Sequence, residues 1–256
     1  MKLIHDTWLI FQRQALLQVR EPAWVFIGIF QPVLYLLLFA PLLRPALAPL
    51  GVTTEAEAYR IFVPGLLVLL AIFGGLFKGF GLIAELRAGI IERSRVTPIS
   101  RLALLLGRSL RDAIVLVAQA GIVTMLAVCF GFTAHLGHIL LAFLMLALIA
   151  LMTSSISYGV ALKVRNEDTF APLMNTTSLP LFLLSGIMLP ITEPFAPEWL
   201  IAVARFNPFY WTVEGTRALF AGNIADSSVW QGLLITLVLA TAAIFWSARS
   251  FARSVR

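Results

Sequence analysis

Cysteine occurs once in this chain, at Cys129, so neither an intramolecular disulfide nor a multi-cysteine metal site can form. Charge is scarce as well. Only 12% of residues are charged, against about 25% in a soluble globular domain. Lysine is confined to Lys2, Lys78 and Lys163. None ends a Gly-x-x-x-x-Gly-Lys-Ser/Thr loop, so the backbone cradle that a P-loop ATPase builds for phosphates is lacking. The glycine-rich GGLFKGFG around Lys78 lies inside an apolar run. The histidines, His5, His135 and His138, fall near the ends of apolar runs. No Ser–His or His–carboxylate set lies within one, which excludes a membrane hydrolase of that kind. No Ala-x-Ala-like exit follows the first apolar run, so no cleavable signal peptide is expected. Low-complexity tracts and internal repeats are missing too.

What is present is hydrophobic: 60% of the chain. Several apolar runs approach the roughly 20 residues that a membrane helix needs. The expectation is an all-α polytopic membrane protein, a single domain over residues 1–256. Six spans are predicted at about 23–43, 61–84, 112–132, 138–162, 170–190 and 228–247. Before them, Leu3, Ile4, Trp8, Phe11, Ala15, Leu16 and Val19 recur at three- and four-residue spacing, with Lys2, Asp6, Arg13 and Gln14 between. That pattern predicts an amphipathic helix lying in the membrane interface. Pro22 suits the first turn of the next helix, and Pro32 predicts a kink in the first span. Gly74, Gly75, Gly79 and Gly81 permit close contact or bending in the second.

The basic residues give an orientation. Lys2, Arg13, Arg20, Arg87, Arg93, Arg95, Arg101, Arg108, Arg111, Lys163, Arg165, Arg249, Arg253 and Arg256 fall on one side of the six spans. Arg44, Arg60, Arg205 and Arg217 fall on the other, and Lys78 lies within a span. The positive-inside rule then makes both termini cytoplasmic and the 191–227 connection external. This asymmetry accounts for the arginines without nucleic acid.

Six of the arginines sit between Glu85 and Asp112, a stretch too polar for lipid and too rich in Leu and Ile for a plain loop. Thr97-Pro98 ends a first helix there, because the residue before proline leaves the helical region. Ser100 caps a second helix, which carries Arg101, Arg108 and Arg111 into the third span. The result is a cytoplasmic elbow. It reads either as a topological anchor or as a surface for a partner.

Three further features carry alternatives. Asn175, Thr176, Thr177 and Ser178 are consecutive in the fifth span, and polar groups are unfavourable against lipid. They form either a substrate-facing patch or hydrogen bonds to Thr153, Ser154 or Ser155 of the fourth span. Phe182, with Phe73 and Phe77, is either an apolar gate or ordinary packing. Lys78 lies about 9 Å from the cytoplasmic end of its span, at 1.5 Å per residue, and either snorkels or binds a ligand. In the 191–227 segment, Glu193, Glu198, Asn207, Pro208, Glu214 and Arg217 stand among interfacial aromatics. That segment reads as an exit gate or as an anchor.

Glu85-x-x-x-Gly89-x-x-Glu92 followed by Thr97-Pro98-Ile99-Ser100 resembles the cytoplasmic loop of ABC-2 type permeases, membrane subunits of ATP-driven exporters. Arg165-Asn166 is similar to that family's R/K-N element. Leu184-Ser185-Gly186 with Leu189-Pro190 is similar to its L-S-G-x-x-x-P element. Asn207-Pro208 with Glu214 and Arg217 resembles its N-P-x-x-x-x-x-E-x-x-R element. Together these cover most of the chain, and the daunorubicin-resistance and nodulation-factor export type is the nearest match. The resemblance implies a coupling helix at about 85–95, with Glu85, Arg87, Gly89, Glu92 and Pro98 at the ATPase contact. It also implies a pathway between two permease copies, lined by the second and fifth spans, and short re-entrant external helices before the last span.

The expected function follows: a permease subunit without catalysis of its own, in the inner membrane of a bacterium. It would work with two copies of a separate ABC ATPase and a second permease copy, identical or homologous. ATP and Mg would be bound by the partner ATPase; this chain would hold no cofactor and no metal. The cargo would be an amphipathic or lipid-linked molecule. The alternatives are an ATP-independent carrier or scramblase, which would need acidic residues inside its spans, and a non-transporting assembly subunit.

Overall fold

The computed structural model describes residues 2–20, 23–48, 52, 54–89, 100–132, 135–192 and 196–254. Among them there are helices and no strand. In chain order these are α1 (Lys2–Arg20), α2 (Ala23–Leu47), α3 (Glu55–Leu76), α4 (Gly79–Arg87), α5 (Arg101–Cys129), α6 (Leu136–Val164), α7 (Glu167–Leu183), α8 (Glu198–Arg205), α9 (Pro208–Phe220) and α10 (Ser227–Ser254).

Local chemistry sets several of these boundaries. Thr54 Oγ1 accepts from the Glu57 amide at 3.3 Å, and the Glu57 carboxylate accepts from the Thr54 amide at 3.2 Å. This reciprocal cap starts α3 six residues before the predicted span. Ser100 Oγ accepts from the Ala103 amide at 3.1 Å, so α5 begins at the predicted cap. It is a single helix of 29 residues, about 43 Å long, which exceeds a ~30 Å hydrocarbon core. Helix α2 continues through Pro32.

Among the described residues, four segments are long and apolar enough to cross a membrane: Ala56–Arg87, Leu102–Cys129, Leu136–Val164 and Ser227–Phe251. They correspond to the second, third, fourth and sixth predicted spans. Among the described residues, the apolar part of α2 is Phe26–Phe39. Helix α7, at 17 residues, measures about 25 Å and falls short of a full crossing by itself. It stops where Gly186 takes a left-handed φ of 72°, which favours glycine.

The second-span segment is 67% buried and the last only 28%, so α3 is the axis and α10 the periphery. Helix α6 packs on both α3 and α10, and α9 fits between α10 and α3. Small residues allow this closeness: a Cβ on Gly75 would overlap Thr153, and one on Gly159 would overlap the Trp246 ring. Helix α1 lies along α5. Its stripe Asp6, Ile10 and Gln14 is buried there, while Ile4, Trp8, Leu16 and Val19 point outward. An apolar outer face suits a helix half-sunk in the lipid interface.

Candidate transport and coupling site

The second span is not one helix. It breaks at Phe77–Lys78, between α3 and α4. Lys78 is paired here: its Nζ lies 3.7 Å from the Asp112 carboxylate on α5. Asp112, 2% exposed, also accepts from Arg111 at 2.7 Å and from the Tyr158 hydroxyl of α6 at 2.5 Å. Arg111 reaches back to Gln14 of α1 at 3.4 Å. One carboxylate thus gathers α4, α5 and α6 at the second, third and fourth predicted spans, and through Arg111 also α1. A buried carboxylate is tolerable only when paired in this way.

The tip of α4 is fastened on two sides. Glu85 pairs with the buried Arg108 of α5. Arg87, more than half exposed, pairs with Glu167 at 3.3 Å and donates to Asn166 at 3.4 Å. The Arg165-Asn166 element is the joint between two helices. Arg165 closes α6 with a left-handed φ of 54°, and Asn166 opens α7 by accepting from the Asp168 amide at 3.0 Å. Gly89 also has a left-handed φ, 67°, with open space where a Cβ would be. Within this chain its glycine serves the turn after α4, not a close contact. Glu92 and Pro98 lie outside the described residues, as does the predicted Thr97-Pro98 stop.

Toward the other end, an aromatic series runs between the second span and α7. Phe182 meets Phe73 edge-on at 6.0 Å, Phe73 stacks on Phe77 at 6.1 Å, and Phe77 on Phe80 at 6.1 Å. Phe80 meets Phe170 edge-on at 4.9 Å. On α7, Asn175, Thr176 and Thr177 are exposed, and of these four polar residues only Ser178 is buried. Thr177 and Ser178 bond to carbonyls of their own helix. Thr153 bonds to the carbonyls of Ala71 and Ile149, and Ser155 pairs with Ser109. The polar ridge of α7 and the hydroxyls of α6 are therefore not joined.

The L-S-G and N-P elements meet at the far end. Arg217 Nη2 donates to the carbonyls of Gly186 at 2.6 Å and Ile187 at 3.2 Å; its Nε donates to Ile61 at 3.1 Å. Its Nη1 pairs with Glu214 at 2.8 Å. Asn207 accepts from the Phe209 amide, capping α9 ahead of Pro208, and donates to the Leu181 carbonyl at 2.6 Å. Above Phe182 an apolar cavity of about 280 Å³ is walled by Gly186–Ile191, Ala196 and Leu200. Glu198 is exposed at the start of α8, and Glu193 lies outside the described residues.

Motif elements far apart in sequence thus meet in pairs, one pair at each end of the bundle. The comparison with known families decides what that pairing means: residues 5–221 match the ABC-2 type transporter family. The chain belongs to the ABC-2 type transporter family. It is also similar to proteins named as transport permeases (ycf38). The Cyanophora paradoxa protein is 26% identical over 221 residues, covering 85% of this chain and 75% of that one. The Pyropia yezoensis protein is 25% identical over 222 residues, 86% and 75% of the two chains, and the Porphyra purpurea protein 25% over 225 residues, 87% and 76%. The chain is a membrane transport permease, a transport subunit whose family implies an ABC ATPase as partner.

Sequence reading placed two residues of the permease poorly. Asp112 stood at the edge of the predicted third span; in the longer α5 it falls inside Leu102–Cys129. A lone lysine in one span and a lone acid in the next were the available signal. Ser157, in the run TSSISYG, gave no signal beyond small size, yet it contacts the backbone at the α3–α4 break.

Proposed function

We propose that this permease exports an amphipathic or lipid-linked molecule from the cytoplasm, driven by two copies of a separate ABC ATPase that bind the ATP and Mg. The observation that carries the reading is the exposure of Asn175, Thr176 and Thr177 on α7, the helix whose Phe182 joins the aromatic series from Phe73. A polar ridge facing lipid is unfavourable. A second permease copy, identical or homologous, would cover it and enclose a path with polar and aromatic walls, suited to an amphiphile.

In this reading α2 and α7 complete six spans, and both termini and the tip of α4 are cytoplasmic, in the inner membrane of a bacterium. The segment from Glu85 through Arg87 and Gly89 to Glu92 and Pro98 receives the ATPase. Helices α8 and α9, with Glu193, Glu198, Asn207, Pro208, Glu214 and Arg217, close the outer exit. The buried Asp112 is the feature a proton-driven carrier would use. Its engagement by Lys78, Arg111 and Tyr158 supports a structural role instead.

The test uses cysteines placed at Asn175 or Thr176 after Cys129→Ser. Oxidation should link two permease copies, or a water-soluble maleimide should label these positions in membranes. Absence of both would sink the pathway reading.

A further inference from the structure

At the break in the second span, two backbone groups lose their helical partners. Lys78 N donates to Gly75 O at 3.1 Å, and Phe80 N donates to Phe77 O at 3.3 Å. In an unbroken helix, Gly79 N would donate to Gly75 O and Phe80 N to Leu76 O. The break therefore strands the Gly79 amide and the Leu76 carbonyl in a buried place. One hydroxyl serves both: Ser157 Oγ of α6 donates to Leu76 O at 2.5 Å and accepts from Gly79 N at 2.8 Å. Ser157 is fully buried, and a Cβ on Gly79 would overlap the Phe170 ring, so the break is closely packed.

The next residue on α6 holds the same break through its side chain. Tyr158 bonds to Asp112, and Asp112 holds Lys78. Beyond the break lies only the short α4, whose far end is tied to α5 through Glu85–Arg108 and to α7 through Arg87–Glu167. Breaks in helices are the places where a segment turns as a rigid piece, because a few residues absorb the change in backbone angles. A freed backbone pair in a membrane helix must find partners in neighbouring helices.

We propose that Phe77–Lys78 is a pivot for α4, that Ser157 is the positioning residue that sets its resting angle, and that Asp112 holds Lys78 there. Force applied at the tip of α4 then turns it about this point and reaches α7 through Arg87–Glu167. This lever role rests on the ATPase-driven reading above; the pivot itself does not.

The experiment follows amide exchange by mass spectrometry on the full permease in lipid nanodiscs. With the permease alone, Ser157→Ala should speed exchange in the peptide covering residues 74–82 about tenfold or more. Ser157→Thr, which keeps the hydroxyl, should restore protection, and Lys78→Met should lie between. Unchanged exchange in Ser157→Ala overturns the pivot. If Ser157→Ala does not fold, Lys78→Met decides: exchange like the wild type overturns the proposal.

The second arm adds the ATPase with ATP and vanadate. In the wild type, exchange should change in both α4 and residues 167–183. In Ser157→Ala the change should reach α4 and fade several-fold in 167–183. Equal changes in both proteins overturn the lever while leaving ATP coupling intact. Failure of the ATPase to bind removes the ATP-driven reading, and the first arm still decides the pivot.

Discussion

Arg217 is the side chain whose loss should cost this permease most. It is buried on α9 and joins the start of α3, the turn after α7 and its own helix through four carbonyl or carboxylate contacts. Burial pulls its guanidinium below the usual arginine range, while Glu214 pushes the other way. Arginine tolerates this because it starts from a very high pKa and offers five donors in a planar fork. Arg217→Met leaves the Glu214 carboxylate, 23% exposed, and the Gly186 and Ile187 carbonyls without their donor. Breaking a buried pair from one side costs about 3–5 kcal/mol. For a chain of this size that is a fall in apparent Tm of roughly 6–20 °C. Arg217→Lys keeps the charge but cannot serve Ile61, Gly186 and Glu214 at once. It should lose about 1.5–3 kcal/mol, the worth of hydrogen bonds to a charged group. Glu214→Gln keeps an acceptor and should cost least. The assay is thermal unfolding in one detergent at one heating rate, since membrane proteins unfold irreversibly and only the ranking is transferable. The expected order is wild type, Glu214→Gln, Arg217→Lys, Arg217→Met. An Arg217→Met protein as stable as the wild type would refute the clamp.

Two further outcomes follow from the tip of α4. For Glu85–Arg108, Glu85→Ala should destabilise more than Arg108→Ala, because it strands a guanidinium only 7% exposed while the glutamate is 28% exposed; the double mutant should resemble Arg108→Ala, with a coupling of about 1–3 kcal/mol by thermal unfolding. Asn166→Ala removes the α7 cap and the acceptor for Arg87, and should cost about 0.5–2 kcal/mol in the same assay.

Long apolar runs were the most legible part of the sequence. The fourth and sixth predicted spans lie within α6 and α10, and Ser100 opens α5 as its capping chemistry requires. Charge bias gave an orientation, but it says nothing about pairing. That Lys78, Arg111 and Tyr158 converge on Asp112 depends on the rotation of three helices about their axes, which periodicity in a nearly all-apolar helix leaves undetermined. The break after Leu76 was hinted at by Gly74, Gly75, Gly79 and Gly81; its place depends on which carbonyl a neighbouring hydroxyl can reach. The shortness of α7 was hidden because Leu184–Pro190 continues the apolar composition after the backbone has turned at Gly186. The L-S-G and N-P elements were legible only as separate motifs. Arg217 joins them across about thirty residues, by hydrogen bonds to backbone atoms that carry no side-chain signature.

The central claim is that a separate ATPase drives this permease through the tip of α4. The direct measurement is co-purification of the permease with an ABC ATPase from the same organism, followed by ATP hydrolysis in lipid nanodiscs. A stable complex with two ATPase copies is expected, with hydrolysis that Arg87→Glu or Glu92→Lys weakens together with binding. A permease that binds no ATPase, or a complex whose hydrolysis ignores both substitutions, would contradict it.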